Sequence, residues 1–254
     1  MSIKTAIVNG VATIEIARPE KKNALTRVMY QEMADALIAA NTDKTVRAVL
    51  IQGQPTVFTS GNDIEDFMSS PPRDEDAPVF QFMRALLGCE KPVIAAVNGA
   101  AIGIGTTMLL HCDFVYVADD SRLAMPFVGL GLVPEFGSSL IVPSLMGHAK
   151  AAEKLLLGDP FTGADAVECG IANGVLAAGE VVAYARRVAE RFNALAPSAV
   201  RESKRLMRRH SAAQVIETIK VEAEIFGARL RSPEAMEAFQ AFFQKRQPDF
   251  TKFD

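Results

Sequence analysis

Lys91-Pro92-Val93-Ile94-Ala95-Ala96-Val97-Asn98-Gly99-Ala100-Ala101-Ile102-Gly103-Ile104-Gly105-Thr106-Thr107-Met108-Leu109-Leu110 carries no charge after its first residue. A membrane span needs about 20 consecutive apolar residues, so length alone admits one here. Pro92, Asn98, Gly99, Gly103 and Gly105 exclude it, because they punctuate the run as strand, loop and helix start. The apolar run after Pro92 reads as a buried strand. The glycines from Gly103 onward open a short helix. A strand passing through a glycine loop into a helix is the repeating unit of a parallel α/β sheet.

The flanking sequence repeats that alternation. Thr5–Val8 and Ala12–Ile16 read as strands joined at Asn9-Gly10, a strong hairpin signal. A helix is predicted from Arg27 to Ala40 with Thr26 as its N-cap. Strands follow at Val46–Ile51, Pro92–Val97 and Phe114–Val117, with a helix at Phe80–Leu87. The polar, proline-bearing stretch Ser69–Asp76 reads as a mobile surface loop bordering a site. From Val181 onward the pattern is helical, with segments at 181–194, 197–208, 211–229 and 232–245. The organisation expected is an α/β core over residues 1–194. A helical region over 195–254 packs on that core or on a neighbouring subunit.

Composition narrows the partners. The 254 residues hold 27 Lys plus Arg against 30 Asp plus Glu, with 49% apolar and 22% charged residues. These are globular averages, which exclude disorder and coiled-coil readings. A net charge of −3 offers no footprint for nucleic acid or an anionic membrane. Cys89, Cys112 and Cys169 form no metal-type spacing and suit a reducing compartment. The first residues have no apolar stretch of signal-peptide length, and the last three are no peroxisomal address. A cytoplasmic protein without metal, membrane or nucleic-acid partners is expected.

Three features could carry chemistry. Phe58-Thr59-Ser60-Gly61-Asn62-Asp63-Ile64 and Asn98 through Thr107 are both strand ends running through glycine into a helix. Glycine lets backbone approach a ligand, and helix-start amides point outward unpaired. Two such loops can aim two N–H groups at one oxyanion; two ordinary tight turns are the alternative. The third feature is Glu135. From Leu123 to Ala149 it is the only charged residue, where an average composition places about six. A lone carboxylate in apolar surroundings is desolvated and prepared as a base or acid. The alternative is an acid stabilising the N-terminus of the helix after Gly137. Gly103-Ile104-Gly105 also invites a dinucleotide-fold reading, but Met108 stands where the third glycine belongs. His111, His148 and His210 show no ligand spacing, and Lys204-Arg205 with Arg208-Arg209 reads as a solvated helix face.

Taken in order, these segments resemble the crotonase family of enoyl-CoA hydratases and isomerases. Arg18-Pro19-Glu20-Lys21-Lys22-Asn23-Ala24-Leu25 resembles its first CoA-contacting turn. Ser60-Gly61-Asn62-Asp63-Ile64 and Gly103-Ile104-Gly105 resemble its two oxyanion loops, and Cys112-Asp113-Phe114, Pro126 through Pro134 and Lys245 through Phe250 also match. The resemblance spans nearly the whole chain. It implies a spiral of ββα turns with a C-terminal helical region, assembled as a homotrimer or dimer of trimers. It also implies an acyl-CoA thioester polarised by the backbone amides of Asn62 and Ile104. Further substrate contacts are implied at Ser60, Gly61, Asp63, Ile64, Gly103, Phe127 and Leu130. Lys22, Ala24 and Lys245 are implied at the nucleotide end. No metal or redox cofactor is implied; coenzyme A enters as part of the substrate.

The departures from the family pattern decide between its reactions. Family hydratases carry two glutamates, and these positions are Thr107 and Phe127 here. Hydration needs one group to activate water and another to deliver a proton. The stretch Pro126 through Glu135 instead resembles the Δ3,Δ2-enoyl-CoA isomerase branch, in which a glutamate at the position of Glu135 shuttles a proton. Phe127 is then expected to exclude water, and Glu135 to be raised in pKa yet ionised for the first step. The other readings are a hydratase using Glu135 with a water, and a catalytically silent acyl-CoA-binding protein.

Overall fold

The computed structural model describes residues 2–72, 74 and 76–253. Arg73 and Glu75 of the predicted surface loop lie outside them. The chain opens with strands β1 (Ile3–Val8) and β2 (Val11–Ile16), antiparallel across Asn9 and Gly10, which both adopt positive φ as a tight hairpin requires. Helix α1 (Arg27–Thr42) follows, and the Thr26 side chain accepts from the Met29 amide as its cap. Then come β3 (Ala48–Gln52), β4 (Val57–Thr59), α2 (Ile64–Ser69) and α3 (Pro78–Leu87). The quoted stretch supplies β5 (Val93–Val97), β6 (Ala100–Ile102) and α4 (Ile104–Thr107). After it lie β7 (Phe114–Ala118), β8 (Arg122–Ala124), α5 (Ser138–Ala152), β9 (Phe161–Thr162), α6 (Gly163–Glu168) and β10 (Gly174–Leu176). Helices α7 (Val181–Glu190), α8 (Pro197–Arg208), α9 (Ala212–Arg229) and α10 (Pro233–Gln244) complete the chain.

Two sheets result. The larger has the order β1-β2-β3-β5-β7-β10 and is parallel from β2 onward. The smaller has the order β4-β6-β8-β9. Successive pairs β3–β4, β5–β6 and β7–β8 each place one strand in the large sheet and the next in the small one. Each pair then leads into helix, which makes the ββα spiral. Residues 100–102, read from the sequence as loop, are thus a strand paired with Val57–Thr59 and Arg122–Ala124. Three residues are too few for a period-2 pattern to register.

The large sheet is covered on both faces, which is why Val93–Val97 is apolar throughout and wholly buried. Met33, Leu37, Phe82 and Leu86 of α1 and α3 cover one side. Val181, Ala185 and Ala189 of α7 cover the other, against Val11, Leu50 and Ile94. Each large aliphatic so buried contributes about 2 kcal/mol relative to leaving it in water.

The C-terminal helices dock on their own core. Lys204 is buried, donating to Asp113 at 2.6 Å and to the Lys91 carbonyl at 2.6 Å. Arg208 reaches Asp113 and the His111 carbonyl. The solvated-face reading of the basic run therefore fails for these two. Burial of a cation is tolerated because Asp113 supplies the opposite charge.

Candidate active site

The first glycine loop is held by the segment before α1. Asn23 is fully buried; its side-chain amide donates to the Val57 and Phe58 carbonyls, and its oxygen accepts from the Arg18 amide. The Leu25 amide donates to the Gly61 carbonyl, and the Leu25 carbonyl accepts from the Asp63 amide. That is a parallel bridge between Leu25 and Asn62. In such a bridge, the N–H of the bridged residue between two engaged neighbours points the opposite way. No acceptor among the described residues takes the Asn62 N–H.

The second glycine loop lies beside it because β4 and β6 are neighbours. A Cβ on Gly61, whose φ is +90°, would lie 2.8 Å from the Ile102 carbonyl oxygen. A Cβ on Gly105 would lie 2.6 Å from the Thr59 methyl group. Glycine at both positions lets the loops touch. Ile104 opens α4, and its N–H also has no acceptor among the described residues. The structure thus brings together the two loops that the sequence proposed as one constellation.

Glu135 faces the same place. Thr107, one turn into α4, donates its hydroxyl to Glu135 Oε1 at 2.5 Å. Phe127, buried, sits against the second loop, with Cε1 3.9 Å from where a Cβ on Gly103 would be. The turn after Glu135 is left-handed at both Phe136 (φ 57°) and Gly137 (φ 74°). For a bulky residue this costs about 1–2 kcal/mol. Three contacts hold it: the Phe136 ring lies 4.0 Å from the His111 ring, His111 Nε2 donates to the Phe136 carbonyl at 2.7 Å, and Glu222 of α9 accepts from the Gly137 amide at 2.6 Å. Glu222 also accepts from the Ser139 amide and hydroxyl. The carboxylate at the N-terminus of α5 is therefore Glu222. The reading of Glu135 as that helix's own acid is overturned.

Electrostatics follow from this packing. Burial pushes the Glu135 carboxyl from 4.5 up to about 8; the Thr107 hydrogen bond opposes the shift and the Glu222 charge adds to it. The expectation that Glu135 is raised holds, but at pH 7 the carboxyl is mostly protonated rather than ionised. Burial lowers His111 to about 4 against the pull of the Phe136 carbonyl, so it is neutral at pH 7. Tyr30, buried in α1, donates to the Asn62 side-chain oxygen at 2.5 Å. Burial raises its phenol, and the Glu135 and Asp66 charges raise it further.

The other expected contacts fall in several places. Asp63 spends one oxygen on Arg18 at 2.7 Å and the other on the Asp66 amide as the cap of α2. Burial raises its carboxyl, and these hydrogen bonds outweigh that to leave it below the usual range. It holds the first loop instead of presenting a free carboxylate. Ser60 donates its amide to the Lys22 carbonyl, which ties the 18–25 turn to the loop. Ile64 and Leu130 are partly buried against the core. Lys22 and Lys245 are exposed and both left-handed, and Ala24 accepts from Arg18 through its carbonyl. Sequence reasoning missed Tyr30, His111 and Glu222, and it counted Thr107 only as a missing glutamate. Each makes its contact across a distance in sequence that no local pattern reports.

Comparison with known proteins gives the family. Residues 6–252 match the family described as enoyl-CoA hydratase/isomerase. The chain is 31% identical to the crotonyl-CoA hydratase of Syntrophomonas wolfei, over 94% of each chain. It is 34% identical to the rat enoyl-CoA delta isomerase 2, over 93% of this chain and 62% of that longer one. Among solved structures, Pseudomonas aeruginosa OdaA is 55% identical, with a TM-score of 0.93 over 95% of this chain and 98% of that one.

Proposed function

The chain belongs to the enoyl-CoA hydratase/isomerase family, and from that premise we propose that it is a Δ3,Δ2-enoyl-CoA isomerase. One observation carries the reading: a single desolvated carboxylate, Glu135, faces the two glycine loops, with Thr107 and Phe127 where a hydratase needs acids.

The thioester carbonyl of a 3-enoyl-CoA sits between the Asn62 and Ile104 N–H groups. Ionised Glu135 removes a proton from C2, and the electron pair moves onto the carbonyl oxygen as an enolate. The two amides stabilise that charge. The enolate collapses by moving the double bond to C2–C3, and Glu135 returns its proton at C4. One carboxylate suffices, and no atom is gained or lost. Phe127 beside Gly103 keeps water from C3. Lys22, Ala24 and Lys245 receive the nucleotide end of coenzyme A. The active assembly is a homotrimer or dimer of trimers.

The similarity to a crotonyl-CoA hydratase favours hydration as the second reading, with Glu135 activating water. Assay of 3-hexenoyl-CoA and crotonyl-CoA separates the two. Double-bond shift of the former without hydration of the latter is expected; the reverse overturns the isomerase reading. Glu135→Gln is expected to lower isomerisation at least ~1,000-fold while acyl-CoA still binds. Turnover within a few-fold of the parent would remove Glu135 as the base.

A further inference from the structure

We propose that Thr107 and Glu222 are positioning residues for Glu135: Thr107 holds one oxygen of its carboxylate, and Glu222, reaching across from α9, locks the turn that presents it. The inference rests on the reading of Glu135 as the proton shuttle and names what makes it one.

Three observations carry it. First, Thr107 is fully buried, and its hydroxyl donates to Glu135 Oε1 at 2.5 Å. With one lone pair of Oε1 engaged, Oε2 is the oxygen left with both lone pairs open to a proton. A β-branched side chain in a helix has few rotamers, so the donor is itself held. Second, Glu135 stands just before a helix N-terminus that would attract it. That terminus is already taken: Glu222 accepts from the Gly137 amide at 2.6 Å, the Ser139 amide at 2.9 Å and the Ser139 hydroxyl at 2.5 Å. Third, the backbone between them is left-handed at Phe136, a conformation that persists only where the surroundings impose it. Glu222 imposes it from one side, and His111 at the Phe136 carbonyl from the other.

The groups acting on Glu135 are Thr107 from α4, Glu222 from α9 and Tyr30 from α1, and His111, from the turn before β7, bonds the carbonyl of the next residue, Phe136. Tyr30 and His111 are neutral at pH 7. Arg208 stands behind His111, bonded to its carbonyl. Thr107 favours the ionised carboxylate, because its hydroxyl donates to it. Glu222 favours the protonated one, because two like charges repel. The two positioning residues therefore pull the proton affinity of Glu135 in opposite directions. Proximity alone produces those shifts; a positioning role adds a fall in kcat at unchanged KM when the donor is removed.

The test uses the full-length protein with Thr107→Val, Thr107→Ser and Glu222→Gln, each close in shape to the original. The Glu135 carboxyl is titrated without substrate by infrared difference spectroscopy, against Glu135→Gln as the blank. The midpoint is expected to rise by about one pH unit in Thr107→Val, return in Thr107→Ser, and fall by about half a unit in Glu222→Gln. With 3-hexenoyl-CoA, kcat of Thr107→Val at its own plateau pH is expected to fall at least ~10-fold with KM within ~2-fold, since orientation and not binding is lost. Midpoints that stay put, or that move together, overturn the proposal. Should Glu222→Gln fail to fold, the Thr107 pair decides: an unmoved midpoint in Thr107→Val overturns it. If Glu135→Gln keeps its isomerase activity, the functional reading fails and the positioning roles fall with it; if Glu135→Gln is inactive while Thr107→Val keeps the parent kcat at its plateau pH, only the positioning proposal fails.

Discussion

Burial and hydrogen bonding compete at Glu135, and burial wins, which makes the residue a pH-dependent element of both rate and stability. A base must be ionised in the free enzyme, so kcat/KM for isomerisation is expected to rise with pH and level off above about 8. A profile already flat from pH 6 would contradict the burial. The sign for stability is the reverse. The folded pKa is raised above the unfolded value of 4.5, so the stability Glu135 contributes is fully present below that pH and is lost as pH rises through about 8. Glu135→Gln has no such dependence. Its melting temperature relative to the parent is expected to climb between pH 5 and pH 9, by an amount worth a few kcal/mol. Equal offsets at both pH values would show that the carboxyl is not desolvated. Much of this residue was legible in the sequence, because a lone charge in an apolar stretch is a local signal. Its partners were not: Thr107 lies 28 positions away and Glu222 reaches back 85 positions to Gly137, and only tertiary packing brings them together.

At the scale of elements, the site is a property of two neighbouring strand ends. β4 and β6 pair in parallel, so the loops that follow them emerge side by side. Gly61 is where they touch. Gly61→Ala would place a methyl group 2.8 Å from the Ile102 carbonyl oxygen at a φ of +90°, pushing the Asn62 and Ile104 amides apart. Loss of about 100-fold in kcat is expected, the scale of losing one oxyanion donor, with circular dichroism unchanged. A variant of full activity would remove the two loops from the mechanism. The long elements were legible: α1, α3, β5, β7, α8, α9 and α10 stand within about two residues of the boundaries that capping and periodicity predict, while α7 ends at Glu190 and the last four residues of its predicted span, Arg191–Ala194, form a 3-10 turn. The small sheet was not. β6, β8 and β9 are two or three residues long, and their pairing depends on where the spiral carries them.

Over the whole molecule, the C-terminal region completes the site from behind. Lys204 and Arg208 clamp Asp113, Arg229 donates to the Gly131 carbonyl, and Glu222 locks the turn after Glu135. Its outer surface has a different character. Met207 is 83% exposed, and Phe242, Leu206 and Met236 are each more than half exposed. Leu206 and Met207 lie on α8, and Met236 and Phe242 on α10. In the proposed homotrimer or dimer of trimers, that surface would meet a second copy of the chain. Sedimentation or light scattering is expected to give three or six times the mass of one chain. Met207→Glu together with Phe242→Glu adds charge to that outer surface without touching the Glu222 or Lys204 contacts. If either residue lies in the subunit contact, the assembly dissociates, since an uncompensated carboxylate is costly to bury. Lys245 offers a second readout, because the resemblance lets it reach a neighbour's nucleotide site. Lys245→Ala is expected to raise KM for acyl-CoA several-fold and leave kcat unchanged. A parent protein that sediments as a single chain with full activity would refute the trimer and require each chain to bind the nucleotide end alone.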